Sequence, residues 1–414
     1  MIYKINYKCR LCSGKIKKIL DLGKQPLANN FIKSSKQRKY PLNLCICLSC
    51  NFLQLREAFN TNFLFKNYSY YTPSRINFLS HYELILKKIS RIKKLNSNSK
   101  VLEIGCNNGD FLDYIRYKKK CKIVGVDPAK NLAEHCRSKS IEIISGNFNH
   151  FLSKKIKKKY GTFDLIILRH VYAHIDNIKN VNQALKRLLS TKGIIYIENA
   201  YALKTLTRNE FDQIYHEHMS YVHLMPLIKF FNKFKVQIFD AFQSSIHGGS
   251  ISLLISHANI YKKTKSLMKI LKYEEIKFNQ NLINQFIKNI KKNKNIFIKL
   301  IRNINKRKIK IGTYGASAKG STLLNYYKLN SSHISKAFDN SENKINKFIP
   351  GLKIKITNTD SIEKFNCGYI IITAWNYLKI IIKKELNYLK QGGKFILPIP
   401  KIAIINYKNY KKFL

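Results

Sequence analysis

Two Cys-x-x-Cys pairs, Cys9/Cys12 and Cys47/Cys50, stand upstream of the segment Val101-Leu-Glu-Ile-Gly-Cys-Asn-Asn-Gly109. Four thiolates on two such knuckles can point at one tetrahedral ion, and a tetrathiolate set selects zinc or an iron site. A closed four-ligand zinc site has no open position, so the ion serves folding and not chemistry. The surrounding sequence shows the need. Residues 1 to about 70 are short segments broken by turns such as Ser13-Gly14 and Gln25-Pro26, with too little apolar periodicity for a core of their own. A metal supplies what that core lacks. The 34-residue spacer between Cys12 and Cys47 is longer than in compact ribbons, and Cys45 offers a competing ligand. Unliganded core thiols are the plainer alternative. The other cysteines, Cys45, Cys106, Cys121, Cys136 and Cys367, show no pairing logic, which fits a reducing compartment without disulfides.

A chain of 414 residues is too long for one ordinary core and implies two to four domains. From about residue 78 a helical pattern (Phe78, Leu79, Tyr82, Leu86, Ile89) leads into alternating strand and helix signals. Apolar runs at 100–104, 121–126, 163–168 and 193–197 read as buried parallel strands of an open, doubly wound α/β sheet. A Lys/Asn/Ile-rich helical region at roughly 262–305 bridges to a second α/β unit, with strands expected at 308–313, 334–338, 369–373 and 394–399. The expected division is 1–75, a zinc lobe; 76–205, a cofactor domain; 206–305, a catalytic segment and helical linker; and 306–414, a C-terminal α/β domain.

The loop after the first strand carries Glu103, Gly105, Asn107, Asn108 and Gly109. Glycines there bring backbone close to a cofactor where a side chain would block it. The Gly-x-x-x-Gly spacing lacks the third glycine of a pyrophosphate fingerprint, which favours S-adenosylmethionine over NAD. The next strand ends in Asp127, placed to bind both ribose hydroxyls; a helix cap before Pro128 is its plainer role. Asn147 and Phe148, after the third strand, are placed to flank the adenine.

Methyl transfer to carbon needs a base for a proton next to a carbonyl and a donor for the oxygen left behind. Such groups are dense in Tyr215-His216-Glu217-His218. Neighbours in a turn alternate in direction, so Tyr215, Glu217 and His218 need not share a face. His174 follows the fourth strand, where this fold opens onto the transferred methyl, whereas Arg169 and His170 also read as surface polar residues. His247-Gly248-Gly249 lets backbone amides approach a ligand or simply turns between strands. Tyr68, Tyr70 and Tyr71 either pack the zinc lobe or offer phenols to a substrate. Gly312, Gly315 and Gly320 with Lys319 open a helix where amides and an ammonium could hold phosphate oxygens, or form an architectural turn.

The formal charge of +53 would ordinarily suggest nucleic acid. The Lys and Arg residues are spread through the chain and not gathered in a stripe, so a nucleic-acid partner is not expected. The cationic surface instead favours encounter with a phosphorylated substrate. No uninterrupted apolar run reaches membrane-spanning length, and the expectation is a soluble, cytoplasmic monomer or weak homodimer.

The chain resembles the sugar-nucleotide C-methyltransferases, which use S-adenosylmethionine to methylate C3 of a dTDP-linked 4-keto-deoxyhexose. The resemblance runs through the paired cysteines with Asp21-Leu-Gly-Lys-Gln-Pro-Leu-Ala-Asn29 and the Glu103–Gly109 loop. It continues through Ala173-His174-Ile175, Phe211-Asp-Gln-Ile-Tyr-His-Glu-His218, His247-Gly-Gly-Ser250, Tyr314-Gly-Ala-Ser-Ala-Lys-Gly320, Ile349-Pro-Gly351 and Ala374-Trp375-Asn376. It implies a class I methyltransferase sheet between a zinc lobe and a second Rossmann-like unit, with S-adenosylmethionine and structural zinc as cofactors. It implies His218 as general base at C3 with Tyr215 and Glu217 beside it, and His174 at the keto oxygen or enolate. Tyr68 with Tyr70 or Tyr71 would contact the sugar, and the C-terminal unit would complete the nucleotide-sugar site. Asn108 stands where the family usually has Asp, and Asp127 where it often has Glu. A zinc-containing methyltransferase of RNA or of another small molecule is the competing class.

Overall fold

The computed structural model describes residues 2–65 and 78–414. The chain divides into two compact units. Unit 1 comprises Met1–Lys17, Cys45–Ala202 and Met219–Lys277; unit 2 comprises Lys18–Leu44, Leu203–His218 and Phe278–Leu414. The long spacer between the two cysteine knuckles follows from this division, since residues 18–44 belong to unit 2.

Unit 1 is built on a seven-stranded sheet. Its strands are β1 (Lys100–Ile104), β2 (Lys122–Asp127), β3 (Glu142–Ser145), β4 (Phe163–Arg169), β5 (Leu189–Ala200), β6 (Val236–Ser244) and β7 (Ser250–His257). They lie in the order β6-β7-β5-β4-β1-β2-β3. All neighbours from β5 to β3 are parallel, and β7 runs antiparallel to both β5 and β6. This is the class I methyltransferase sheet. The strand order reverses between β1 and β4, and in open α/β sheets ligands bind outside the carboxyl ends of strands at such a switch point. The central strands bury nearly every residue because helices cover both faces, so they read as continuous apolar runs. Helix α1 (Leu79–Ser90) presents Tyr82, Ile85, Leu86 and Ile89 on one face. These join Phe111, Leu112 and Ile115 of α2 (Asp110–Lys119) in the core, a spacing of three and four that makes a buried helical stripe. The N-terminal strand Tyr3–Ile5 pairs antiparallel with Glu57–Phe59.

Unit 2 has a six-stranded sheet of β8 (Ile311–Tyr314), β9 (Lys336–Phe338), β10 (Ile356–Thr357), β11 (Tyr369–Ile372), β12 (Lys394–Leu397) and β13 (Ala403–Ile405). The order is β10-β9-β8-β11-β12-β13, parallel except for the β12–β13 pair. This is the second Rossmann-like unit. The Lys/Asn/Ile-rich region is two helices, Lys265–Lys277 and Gln280–Lys306, broken where Asn279 adopts extended backbone and its side chain accepts from Leu282 N–H. Among the described residues, no helix is long and apolar enough to cross a membrane.

Candidate active site

The four cysteine sulfurs of Cys9, Cys12, Cys47 and Cys50 all lie within 4.8 Å of one another. Cys9 and Cys50 are 3.7 Å apart and Cys12 and Cys47 3.4 Å. A tetrahedral zinc with Zn–S bonds of about 2.3 Å requires sulfurs roughly 3.8 Å apart, so the set fits the ion. Cys45, the competing ligand, is buried and is not part of the cluster. Amides of Leu11, Gly14 and Ser49 donate to three of the sulfurs, as expected around thiolates that share a cation.

The β1–α2 turn holds its shape through two glycines in the left-handed region, Gly105 at φ +66° and Gly109 at φ +74°. A β-carbon on Gly105 would sit 2.3 Å from Val171 Cγ2, so the Val171 side chain, after β4, packs directly on the backbone of the turn. Asp127 closes the turn from β2. Its Oδ2 accepts from Asn107 N–H and its Oδ1 from Ala129 N–H, each at 2.9 Å. Burial raises the Asp127 carboxyl pKa, and these two amides pull it back down. Asn108 donates from Nδ2 to Asp110 Oδ2 at 2.9 Å. Beyond Asp127 lies a cavity of about 360 Å³ lined by Asn62, Pro128, Lys130, Ser145 and Gly146. Asn147 bonds to Asn62, and Phe148 follows it ahead of α4 (His150–Tyr160). Close-approach glycines, a bridging carboxylate and an adjoining cavity suit S-adenosylmethionine.

Glu103 and Arg169 carry a signal the sequence did not disclose. Arg169 is no surface residue: its Nε donates to Glu103 Oε1 at 2.9 Å, and its guanidinium lies 4.3 Å from the Phe111 ring centre and 5.0 Å from that of Tyr82. Glu103, fully buried, therefore ties β1 to β4. Burial raises its pKa while Arg169 opposes the rise.

At the carboxyl ends of β4 and β5, His174 stacks flat on Phe65 at 5.3 Å, and burial lowers its pKa to about 4. It is a neutral imidazole near pH 7. His170 meets the His247 ring edge-on at 4.4 Å, and both backbones are left-handed, φ +55° and +54°. Next to them Glu198, buried, binds His81 Nε2 at 2.9 Å. His247, Gly248 and Gly249 form the turn between β6 and β7. Tyr68, Tyr70 and Tyr71 lie outside the described residues.

In unit 2 the segment 215–218 sorts its side chains two ways. His216 turns inward, is 1% exposed, and its Nε2–H donates to Pro41 O at 3.1 Å. Burial lowers its pKa to about 4. Glu217 is buried as well, its Oε2 accepting from Asn29 Nδ2 at 2.7 Å. Tyr215 and His218, both half-buried, face each other: Tyr215 Oη is 2.7 Å from His218 Nε2. His218 Nδ1 lies 2.9 Å from Gln213 O. A carbonyl only accepts, so Nδ1 carries the proton and Nε2 presents its lone pair to the Tyr215 hydroxyl.

The second glycine turn is shaped by packing. A β-carbon on Gly315 would meet Ala374 at 2.6 Å, and one on Gly320 would meet Thr373 at 2.7 Å. Asp339, at the end of β9, accepts from Ala316 N–H and Ser341 N–H, the arrangement Asp127 has with Asn107 and Ala129. Lys319, in the first turn of α7 (Ala318–Tyr326), sets its ammonium 4.4 Å from the Trp375 ring centre.

Residues 9–65 match the family described as "Putative zinc binding domain", 78–234 match "Methyltransferase domain", and 245–400 match "C-methyltransferase C-terminal domain". The C-methyltransferase NovU of Streptomyces niveus is 28% identical over 417 residues, spanning 96% of this chain and 97% of that protein. The chain is an S-adenosylmethionine-dependent C-methyltransferase. An uncharacterized protein of Methanocaldococcus jannaschii is 28% identical over 156 residues, 36% of this C-methyltransferase and 64% of that protein. A solved S-adenosylmethionine-dependent methyltransferase of Anabaena variabilis overlaps 44% of this chain and 85% of its own, at 16% identity and a TM-score of 0.37. The enzyme's cofactors are S-adenosylmethionine and a structural zinc, for which the four-cysteine cluster offers a matching ligand set.

Proposed function

We propose that the enzyme methylates C3 of a nucleotide-linked 4-keto-deoxyhexose, dTDP-linked by resemblance, through an enolate. The observation that carries this reading is the Tyr215–His218 pair, with the imidazole held in one tautomer by Gln213 O. A base for a carbon acid needs an unprotonated nitrogen of fixed direction, and His218 Nε2 is that nitrogen. Tyr215 Oη and His218 Nε2 act as one base: the proton leaving C3 ends on Nε2, directly or as the phenol proton passes inward and the phenol oxygen takes its place. His174 donates to the ketone oxygen as charge develops there. A neutral imidazole suits this role because it polarises a carbonyl without becoming a competing acid. Bound S-adenosylmethionine supplies the electrophilic methyl. Gly105, Asn107, Asn108 and Gly109 hold it at the turn, Asp127 engages its ribose, and Asn147 and Phe148 flank its adenine. Glu217, fixed by Asn29, stands beside the base by resemblance, and residues 247–249 are assigned to acceptor binding. The partner is thus a small, anionic sugar nucleotide.

The test is incubation of the purified enzyme with S-adenosylmethionine and dTDP-4-keto-6-deoxyhexose or its 2,6-dideoxy form, with the product read by mass and by NMR at C3. A C3-methyl product is expected. Methylation at oxygen, or of RNA in place of either sugar, would overturn the reading.

A further inference from the structure

We propose that Asp212, Trp375 and Lys319 form a buried positioning unit that fixes the Tyr215–His218 pair through the turn Phe211–Gln213. The proposal rests on the reading of that pair as the catalytic base. Three motifs far apart in sequence meet here. The indole Nε1–H of Trp375, on the turn after β11, donates to Asp212 Oδ2 at 2.6 Å. The Lys319 ammonium sits on the face of the same indole at 4.4 Å, and the Arg208 guanidinium lies 5.8 Å from its centre. Phe211 packs against Tyr326 and Tyr327 at the end of α7, at 5.2 and 5.5 Å. Gln213 donates from its side chain to Glu210, and Glu210 pairs with Arg208 Nε at 3.1 Å.

The link to the base is one residue long. Asp212 adjoins Gln213, whose carbonyl holds His218 Nδ1, so a shift of the turn is passed to the imidazole without an intervening rotamer. Asp212, Glu210 and Gln213 are almost wholly buried, where a lone charge would be costly. Burial lowers the Lys319 pKa, and the nearby Asp212 and Glu210 carboxyls oppose that shift. Buried ion pairs add little net stability compared with apolar replacements. Directional contacts from rigid elements do, however, hold a site to the precision that catalysis needs. The aromatic packing of Phe211 would suffice to anchor the turn; the indole bond and the paired charges additionally set its direction.

The test uses Trp375→Phe, which removes the indole N–H together with part of the buried ring system, and Asp212→Asn, which replaces the ionisable carboxyl by an amide. The full-length enzyme carries 15N-labelled histidine, with the His218 resonance assigned by loss in His218→Asn. Wild type is expected to show His218 as a single Nδ1–H tautomer. In both variants that resonance should move toward a tautomer mixture while S-adenosylmethionine affinity stays near wild type; both should melt earlier, because each disturbs a buried contact. Their kcat should fall on the order of 10²-fold, the scale of a misplacement near 1 Å, with KM for S-adenosylmethionine unchanged. An unaltered His218 resonance in folded variants overturns the proposal, as does an altered resonance with unchanged kcat. Should Asp212→Asn fail to fold, Trp375→Phe alone decides. If wild type transfers no methyl group to the sugar nucleotides, the reading of the function fails while the His218 resonance still decides the positioning.

Discussion

Gly105→Ala probes the cofactor turn with a magnitude the structure supplies. Two costs arise. Gly105 has φ +66°, and an L residue in the left-handed region costs roughly 1–2 kcal/mol. The new β-carbon would lie 2.3 Å from Val171 Cγ2 and 3.3 Å from Cγ1. Relieving such overpacking costs roughly 1–3 kcal/mol. The sum is about 2–5 kcal/mol, or roughly 4–20 °C in the melting temperature of a unit this size, and S-adenosylmethionine binding should weaken with it. The two costs separate in a double-mutant cycle with Val171→Ala, assayed by thermal melting and by calorimetric titration of S-adenosylmethionine. The clash disappears when Val171 is shortened and the backbone cost remains, so the cycle should show a favourable coupling of about 1–3 kcal/mol. Strictly additive effects would refute the close approach of the turn to Val171. A Gly105→Ala protein with wild-type melting and affinity would refute both parts.

Cys47→Ala should lose bound zinc by metal analysis and melt earlier, whereas Cys45→Ala should keep its zinc. If Asp127 engages the ribose, Asp127→Ala should weaken S-adenosylmethionine binding by roughly 10–100-fold, the worth of hydrogen bonds to a charged group, read by titration. Tyr215→Phe should lower kcat with little change in S-adenosylmethionine affinity, since it removes the hydroxyl paired with His218 Nε2 and leaves the cofactor turn intact. Acid should destabilise the fold through His216 and His223, whose pKa values burial lowers from 6.5 to about 4. The unfolded chain binds protons that the folded state refuses, so this stability is fully present above pH 6.5 and is lost as pH falls toward 4. At pH 5 the loss is about 2 kcal/mol per imidazole relative to pH 7, and His223→Asn should flatten the profile in denaturant titrations.

The parts of this fold visible in the sequence are those where one residue class fills one environment. The apolar runs at β1, β2, β4 and β5 stand out because helices bury both faces of these strands. β3 has only Ile143 and Ile144 as apolar residues, both half-buried at the sheet edge, and gives no run. β10 is two residues long and β13 three, too short for periodicity to register. The break at Phe278–Asn279 is hidden because an Asn cap is inconspicuous in an Asn-rich stretch. At the site, the Cys-x-x-Cys spacing picks out the four sulfurs that cluster, with Cys45 outside them, and the carboxylate ending β2 is the one that accepts from Asn107 and Ala129 N–H. The partners of those groups are long-range and carry no local signature: Arg169 under Glu103, Asn29 on Glu217, Gln213 O on His218 and Trp375 on Asp212. An arginine ending a buried strand was the one available hint to the first of these. The tautomer of His218, on which the proposed chemistry turns, follows only from which atom its ring meets.

Enolate formation at C3 is read by deuterium exchange. The enzyme is incubated in heavy water with dTDP-4-keto-6-deoxyhexose and S-adenosylhomocysteine, which cannot donate a methyl, beside His218→Ala. Deuterium should enter C3 with wild type and not with the variant. Equal exchange with the variant would contradict His218 as the base, and methyl transfer to the same sugar by wild type without any C3 exchange competence would contradict the enolate.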